Sequence, residues 1–245
     1  MSYLLIPAFL FFIGSTAGWV IELLFRRFFS SANPERKWIN PGLCTGPYLP
    51  LYGCGLCVLY LLSMLGELPL LENRVWNKVV LYLCMAFGMT AIEYIAGLFS
   101  LKVTKVRLWD YSSQWGNVQG IICPKFSLAW ALLGILYDLL LHPHIRTMVE
   151  WLSDNLAFSF IIGMFFGVFL IDFVHATRLL HRLRRFAEEN GVVVRLESLK
   201  HELRRRSDAL KERYRFFQPF RSDRPLAEQL RDMKESFEKR ILKRR

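Results

Sequence analysis

The run "VVLYLCMAFGMTAIEYIAGLFSL", Val79 to Leu101, contains one ionisable acid or base, Glu93, and no Pro. At a helical rise of about 1.5 Å per residue it spans about 35 Å, enough to cross ~30 Å of hydrocarbon. Two further runs read the same way. Leu4 to Leu24 carries only Glu22, and Leu156 to Thr177 carries only Asp172 besides His175. Two weaker apolar stretches, Tyr48–Leu65 and Ser127–Leu141, lie between them. The chain is 53% apolar, with a mean hydropathy of +0.25. These features predict an all-α integral membrane protein with five transmembrane helices. No Lys or Arg precedes the first run, and "RRFFSS" follows it in place of a small-residue cleavage site. The first run is therefore expected to remain as a helix.

Charge sets the expected orientation. Arg26, Arg27, Arg36 and Lys37 follow the first span, and Lys102, Lys105, Arg107 and Lys125 follow the third. The second connection has only Arg74 and Lys78, and the fourth only Arg146. The positive-inside rule puts the first and third loops in the cytoplasm of a cell (inner or plasma) membrane, with the N-terminus outside and the C-terminus inside. From Arg182 onward there are 20 Lys and Arg against 11 Asp and Glu, so this tail carries most of the net charge of +11. The reading divides the chain into a transmembrane domain, 1–181, and a basic, amphipathic, helical cytoplasmic tail, 182–245. The tail suits contact with the anionic inner leaflet or packing on a partner; nucleic acid is not expected at a membrane.

The five Cys are scattered, with Cys54-Gly-Leu-Cys57 the closest pair. No second pair or nearby His completes a metal site, so these residues read as small packing groups in a helix; no metal and no cofactor are expected. The chain also lacks a P-loop, H-E-x-x-H, G-x-S-x-G and a dinucleotide fingerprint.

The first span ends "TAGWVIELLF" and the third contains "TAIEYIAGLF". Each is followed by a Gly- and Asn-containing inside loop, "NPGLCTGP" from Asn40 and "NVQGIICP" from Asn117. The pattern suggests a parallel repeat of helix, cytoplasmic loop and helix.

A charged carboxylate in hydrocarbon costs ~2.5–3.5 kcal/mol even on insertion scales, so Glu22, Glu93 and Asp172 are expected to face the bundle interior. Glu22 also has an interfacial reading, four residues before Arg26. Asp172 and His175 share a helix face, which fits a proton relay or a local hydrogen-bonded pair. Asp138 and His142 read as interfacial on the outer side. In the first inside loop, backbone amides at Gly42 and Gly46 suit an anion, and Tyr48 and Tyr52 add hydroxyls. The second inside loop, "LWDYSSQWGNVQG" from Leu108, mixes belt-type Trp109 and Trp115 with Asp110, Tyr111, Asn117 and further amides. Such a set suits recognition of a polar ligand or head group.

Four stretches together carry a family likeness: "GWVIELLF", "NPGLCTGPYLPLYGCG", "AIEYIAG" and "WDYSSQWGNVQGIICPKFSLAW". They span about Gly18 to Trp130, and the chain there resembles the ABC-transporter type IV, or CmpB-like permease, family. Glu22, Asn40, Gly46, Tyr52, Glu93, Trp109, Asp110, Tyr111 and Asn117 fall on its motifs. Pro41 stands where the family pattern has Arg, and the residue at Lys125 also departs from it. The resemblance implies a multi-pass permease without fixing a substrate or an ATPase partner; transport would need coupling to protons or to a separate ATPase subunit.

Two readings follow. One is transport or binding of a polar or lipid-like solute at an inner-half site lined by Glu22, Asn40, Gly46, Tyr52, Glu93, Trp109, Asp110, Tyr111 and Asn117, with Asp172 and His175 as relay. The other is an enzyme using the same carboxylates on a lipid head group at the cytoplasmic leaflet. Membrane lipids are the expected neighbours in both. A polar path running on from Glu93 to the outer face favours transport; closure there favours the enzyme.

Overall fold

The computed structural model describes residues 4–30, 33, 35–67, 73–191, 193–196 and 199. The amphipathic helices expected further along the tail lie outside them. The described chain is helical almost throughout: α1 (Leu5–Phe28), α2 (Pro50–Gly66), α3 (Arg74–Phe99), α4 (Pro124–Leu136), α5 (His142–Asp154) and α6 (Ser159–Asn190). Two short strands, β1 (Val106–Arg107) and β2 (Val194–Arg195), pair in parallel.

Four helical stretches are long and apolar enough to cross a membrane: Leu5–Phe28, Arg74–Thr104, Pro124–Asp154 and Leu156–Glu189. The fifth expected span, α2, is apolar but shorter, at 17 residues. Large apolar side chains point outward on these helices, Phe87 being 77% exposed and Leu83, Ile95 and Val168 similar. An apolar exterior around a core that contains Ser15 and Glu93 fits a bundle solvated by lipid.

Sequential helices pack as neighbours: α1 on α2, α2 on α3, α3 on α4. The α1–α2 contact is set by Gly14-x-x-x-Gly18. A Cβ on Gly18 would fall inside the Tyr52 ring, and one on Gly14 against Leu56 and the Tyr52 carbonyl. Small residues at this spacing let two helix backbones approach, which supplies packing that lipid-facing side chains cannot. Helix α6 closes on α1 through aromatic contacts, with Phe11 at 5.6 Å from Phe166 and Phe12 at 4.7 Å from Phe165.

The third of these long stretches extends past the sequence expectation of Leu141, to Asp154. Pro143 reads as a stop because it has no N–H and crowds the carbonyl four residues back. The chain avoids the clash by a π-helical turn at Tyr137–Leu141, where the His142 N–H bonds to the Tyr137 carbonyl. Helix continues beyond it, so Arg146 lies on α5 and not in a loop. Helix α6 likewise runs without a break past residue 182, the expected start of the tail.

Phe25 at the end of α1 meets Phe126 at the start of α4, with ring centroids 6.4 Å apart. The α1–α2 loop and the α3–α4 loop therefore lie on one side of the bundle. This is called the loop side below.

Candidate functional site

Each loop has an asparagine that gathers its backbone before the next helix. Asn40 Oδ1 accepts from Trp19 Nε1 at 2.9 Å and from the Gly42 amide at 3.0 Å. Its Nδ2 donates to the carbonyls of Cys44 and Thr45, both at 3.0 Å. Asn117 repeats the arrangement. Its Oδ1 accepts from the Gly120 amide at 3.0 Å, and its Nδ2 donates to the carbonyls of Ser112 and Gln114 at 3.2 and 2.9 Å. An amide can donate and accept at once, so one side chain satisfies several backbone groups that an irregular loop leaves open. Both loops then enter a helix with Pro in its first turn.

The anion expected at Gly46 is supplied by the protein itself. Asp172 of α6 accepts from the Thr45 amide (3.1 Å), the Gly46 amide (2.8 Å) and the Tyr48 hydroxyl (2.5 Å). His175 is exposed, and no hydrogen bond joins it to Asp172 among the described residues. Sequence reasoning named both the amides and the carboxylate, but their pairing across 126 positions carries no local signal.

In the Asn117 loop, neighbouring residues turn opposite ways. Asp110 faces Ser112, whose amide and hydroxyl both donate to it, together with Arg107 at 3.2 Å and Arg195 Nε at 3.0 Å. Arg195 belongs to β2, so the chain after α6 is fastened to this loop through both a strand pair and an ion pair. Burial works to raise the Asp110 pKa. The Ser112 hydroxyl and amide and the two guanidinium groups outweigh it and hold the carboxyl below the usual carboxylate range. Gly120 has a positive φ of 67°, and a Cβ there would collide with Arg107 and Ser112. Trp109 donates from Nε1 to the Ile121 carbonyl at 2.8 Å, tying the loop's two ends together.

Tyr111 points the other way, into the bundle. Its hydroxyl donates to Glu93 Oε1 at 3.1 Å, while Trp130 Nε1 donates to Oε2 at 3.0 Å. Burial, then the Glu93 charge and its hydrogen bond, push the Tyr111 phenol well above its ordinary pKa, so it stays a donor. Glu93 is 2% exposed. Among the described residues no cation pairs with it. Trp130 also lies 5.3 Å from Tyr52, ring to ring, and the Tyr52 hydroxyl donates to Glu22 Oε2 at 2.9 Å. Glu22 Oε1 holds Arg26 at 2.8 Å and its side chain is 20% exposed. Phe126 stacks on Tyr111 at 4.3 Å. The result is one cluster of two carboxylates walled by Tyr52, Tyr111, Phe126 and Trp130. The two halves correspond: in each, a Glu on the first helix accepts from an aromatic residue on the second.

The predicted residues thus separate by position. Glu22, Tyr52, Glu93 and Tyr111 come together. Asn40, Gly46, Trp109, Asp110, Asn117 and Asp172 hold the loops that cover them. Phe126 is a site-wall residue that sequence reasoning did not single out; Trp130, which falls on the family motif, was not expected to line the site. The spacing from the Pro124 helix start could have flagged Trp130, because residue 130 falls on the same face as Gly134 and Tyr137.

Away from the loops, the buried face of α3 reads Gly97, Glu93, Met89, Met85, Leu81. Polar character stops below Glu93. A Cβ at Gly55 of α2 would meet Met89, and one at Gly134 of α4 would meet Met85, with Leu59 also close to Gly134. Two methionines seated on bare glycine backbone, with Leu59, form an apolar layer beneath the carboxylate cluster.

These features define a helical bundle of membrane type with a buried, carboxylate-bearing polar cluster on one side. A family model described as "Putative ABC-transporter type IV" matches residues 9–177, and the chain belongs to that family. No curated protein and no solved structure matches the chain.

Proposed function

We propose that the chain binds and moves a polar or lipid-like solute bearing a positively charged amine or ammonium group, held at Glu93 and Glu22. The observation that carries this reading is Glu93, buried and, among the described residues, given hydrogen bonds only by the neutral donors Tyr111 and Trp130. A carboxylate among aromatic faces is chemistry that attracts an organic cation through charge and ring quadrupole together. The loops and tail are read as cytoplasmic and the N-terminus as outside, with α2 as the short fifth span and two helix–loop–helix units as a parallel repeat. A separate ATPase is the partner that family membership suggests.

The test uses full-length protein in nanodiscs, with choline as a soluble probe and phosphatidylcholine as its lipid counterpart. Binding of either is expected to raise the unfolding temperature of the natural protein and to leave Glu93→Gln unmoved. Equal shifts for both proteins would remove Glu93 from the site. The Met85–Met89–Leu59 layer supports the second reading, an enzyme working on a lipid head group from the cytoplasmic leaflet. Release of a free head group from phosphatidylcholine, lost in Glu93→Gln, would decide for it.

A further inference from the structure

Polar groups resume on the far side of the methionine layer. Tyr60 and Ser63 of α2 and Glu67 at its C-cap are spaced by three and four residues, so they follow one stripe of that helix. The stripe meets His142, the residue at the π turn. The Tyr60 ring lies 5.8 Å from the imidazole, and Tyr137 lies 5.7 Å from it on another side. The Tyr137 hydroxyl and His142 Nδ1 are hydrogen-bonded at 3.1 Å. His142, expected at the interface, is only 8% exposed, and Ser63 is 2% exposed.

Two polar atoms here have no hydrogen-bond partner among the described residues: Ser63 Oγ and His142 Nε2. The nearest acidic atom to Nε2, Glu67 Oε1, is 3.6 Å away, too long for a hydrogen bond, and that oxygen is taken by Arg146 at 2.9 Å. A buried donor or acceptor left open is costly, and packing does not explain one on this stripe together with one on the imidazole that meets it. Neither atom belongs to the carboxylate cluster, which is closed off by Met85, Met89 and Leu59.

We propose that Ser63 and His142 form a second binding station, away from the loops, for a neutral hydroxyl- or amide-bearing group. Such a group donates and accepts together, which is what a serine hydroxyl and one imidazole nitrogen require. Glu67 and Arg146 neutralise each other at the rim, so the station offers no net charge to an ion. Its role as the far-side stop of a solute rests on the transport reading; its capacity to bind does not.

The test uses full-length protein in nanodiscs with a hydroxyethyl thiosulfonate, itself hydroxyl-bearing, and reads adducts by peptide mass spectrometry so that native Cys are resolved. Ser63→Cys is expected to react faster than Leu59→Cys by about tenfold or more, the contrast between a polar-lined and a dry position, and glycerol is expected to slow it. Ser63→Ala is expected to lower the unfolding temperature, because an occupied station loses a partner. Reaction no faster than at Leu59→Cys overturns the proposal. So does a raised unfolding temperature in Ser63→Ala, the mark of a buried hydroxyl relieved of having nothing to bind. Labelling of Ser63→Cys is independent of choline binding at Glu93. Loss of one result with retention of the other therefore tells which of the two readings has failed.

Discussion

Replacing Asp172 with Asn tests whether this carboxylate fastens the Asn40 loop or serves as a relay to His175. The side chain keeps its shape but loses its charge, and one of its two oxygens becomes a donor facing donors. Three hydrogen bonds are at stake: the Thr45 and Gly46 amides and the Tyr48 hydroxyl. Bonds to a charged acceptor contribute about 1.5–3 kcal/mol each when intact. Thr45 is exposed and water recovers its share, so the net loss is about 2–4 kcal/mol for the loop. That corresponds to amide exchange at Thr45 and Gly46 faster by about 30- to 700-fold, if exchange proceeds through local opening. Hydrogen–deuterium exchange on the nanodisc-embedded protein reads both amides directly. His175→Ala, changing an exposed side chain, is expected to leave them within about 0.5 kcal/mol of the natural protein. Unchanged loop exchange in Asp172→Asn would refute the fastening role. A loss of solute binding shared equally by His175→Ala would point to the relay instead.

Two other outcomes follow from the geometry. Gly18→Ala forces a methyl into the space of the Tyr52 ring, so α1 and α2 separate and the Tyr52–Glu22 bond is lost. The expected cost is about 1–3 kcal/mol, read as a lowered thermal unfolding midpoint, and Gly163→Ala, where an added Cβ meets nothing within 4 Å, serves as the comparison. Asp110 has a depressed folded pKa, so its contribution is fully present above the ordinary carboxylate value of ~3.9 and disappears as pH falls through its lower folded value. Acid exposure should therefore free the Arg195 segment from the Asn117 loop, seen as faster proteolysis after α6, while Asp110→Asn is expected to lack that acid transition.

The helices were legible because uninterrupted apolar length is a local property, and Glu93 was legible because a lone acid in such a run has few places to face. The two loops were also recognisable, and Asn40 and Asn117, paired on sequence alone, do take matching roles. What escaped the sequence was direction and distance. Asp110 and Tyr111 were read as working together, yet successive residues in an extended loop point apart, and only Tyr111 reaches Glu93. Gly46 was read as open to an anion because its partner stands on a helix far along the chain. The Ser127 span was expected to end near Leu141, because nothing local announces the π turn that carries the helix past Pro143. Asp138 and His142 were read as interfacial, yet Asp138 is held by Lys78 and Tyr82 and His142 is buried.

The seating of Met85 and Met89 on Gly134 and Gly55 has a consequence for timing. A thioether side chain has three rotatable bonds and no branch, and the backbone beneath it offers no Cβ to lock it. Side-chain torsions would move both methionines off the glycines and leave Leu59 in place. Such swings belong to a faster regime than hinge motions of whole segments, which fall in microseconds to milliseconds. The seal between the two polar clusters is therefore built to be cheap to break and quick to remake, and its tightness depends on glycine remaining glycine at positions 55 and 134.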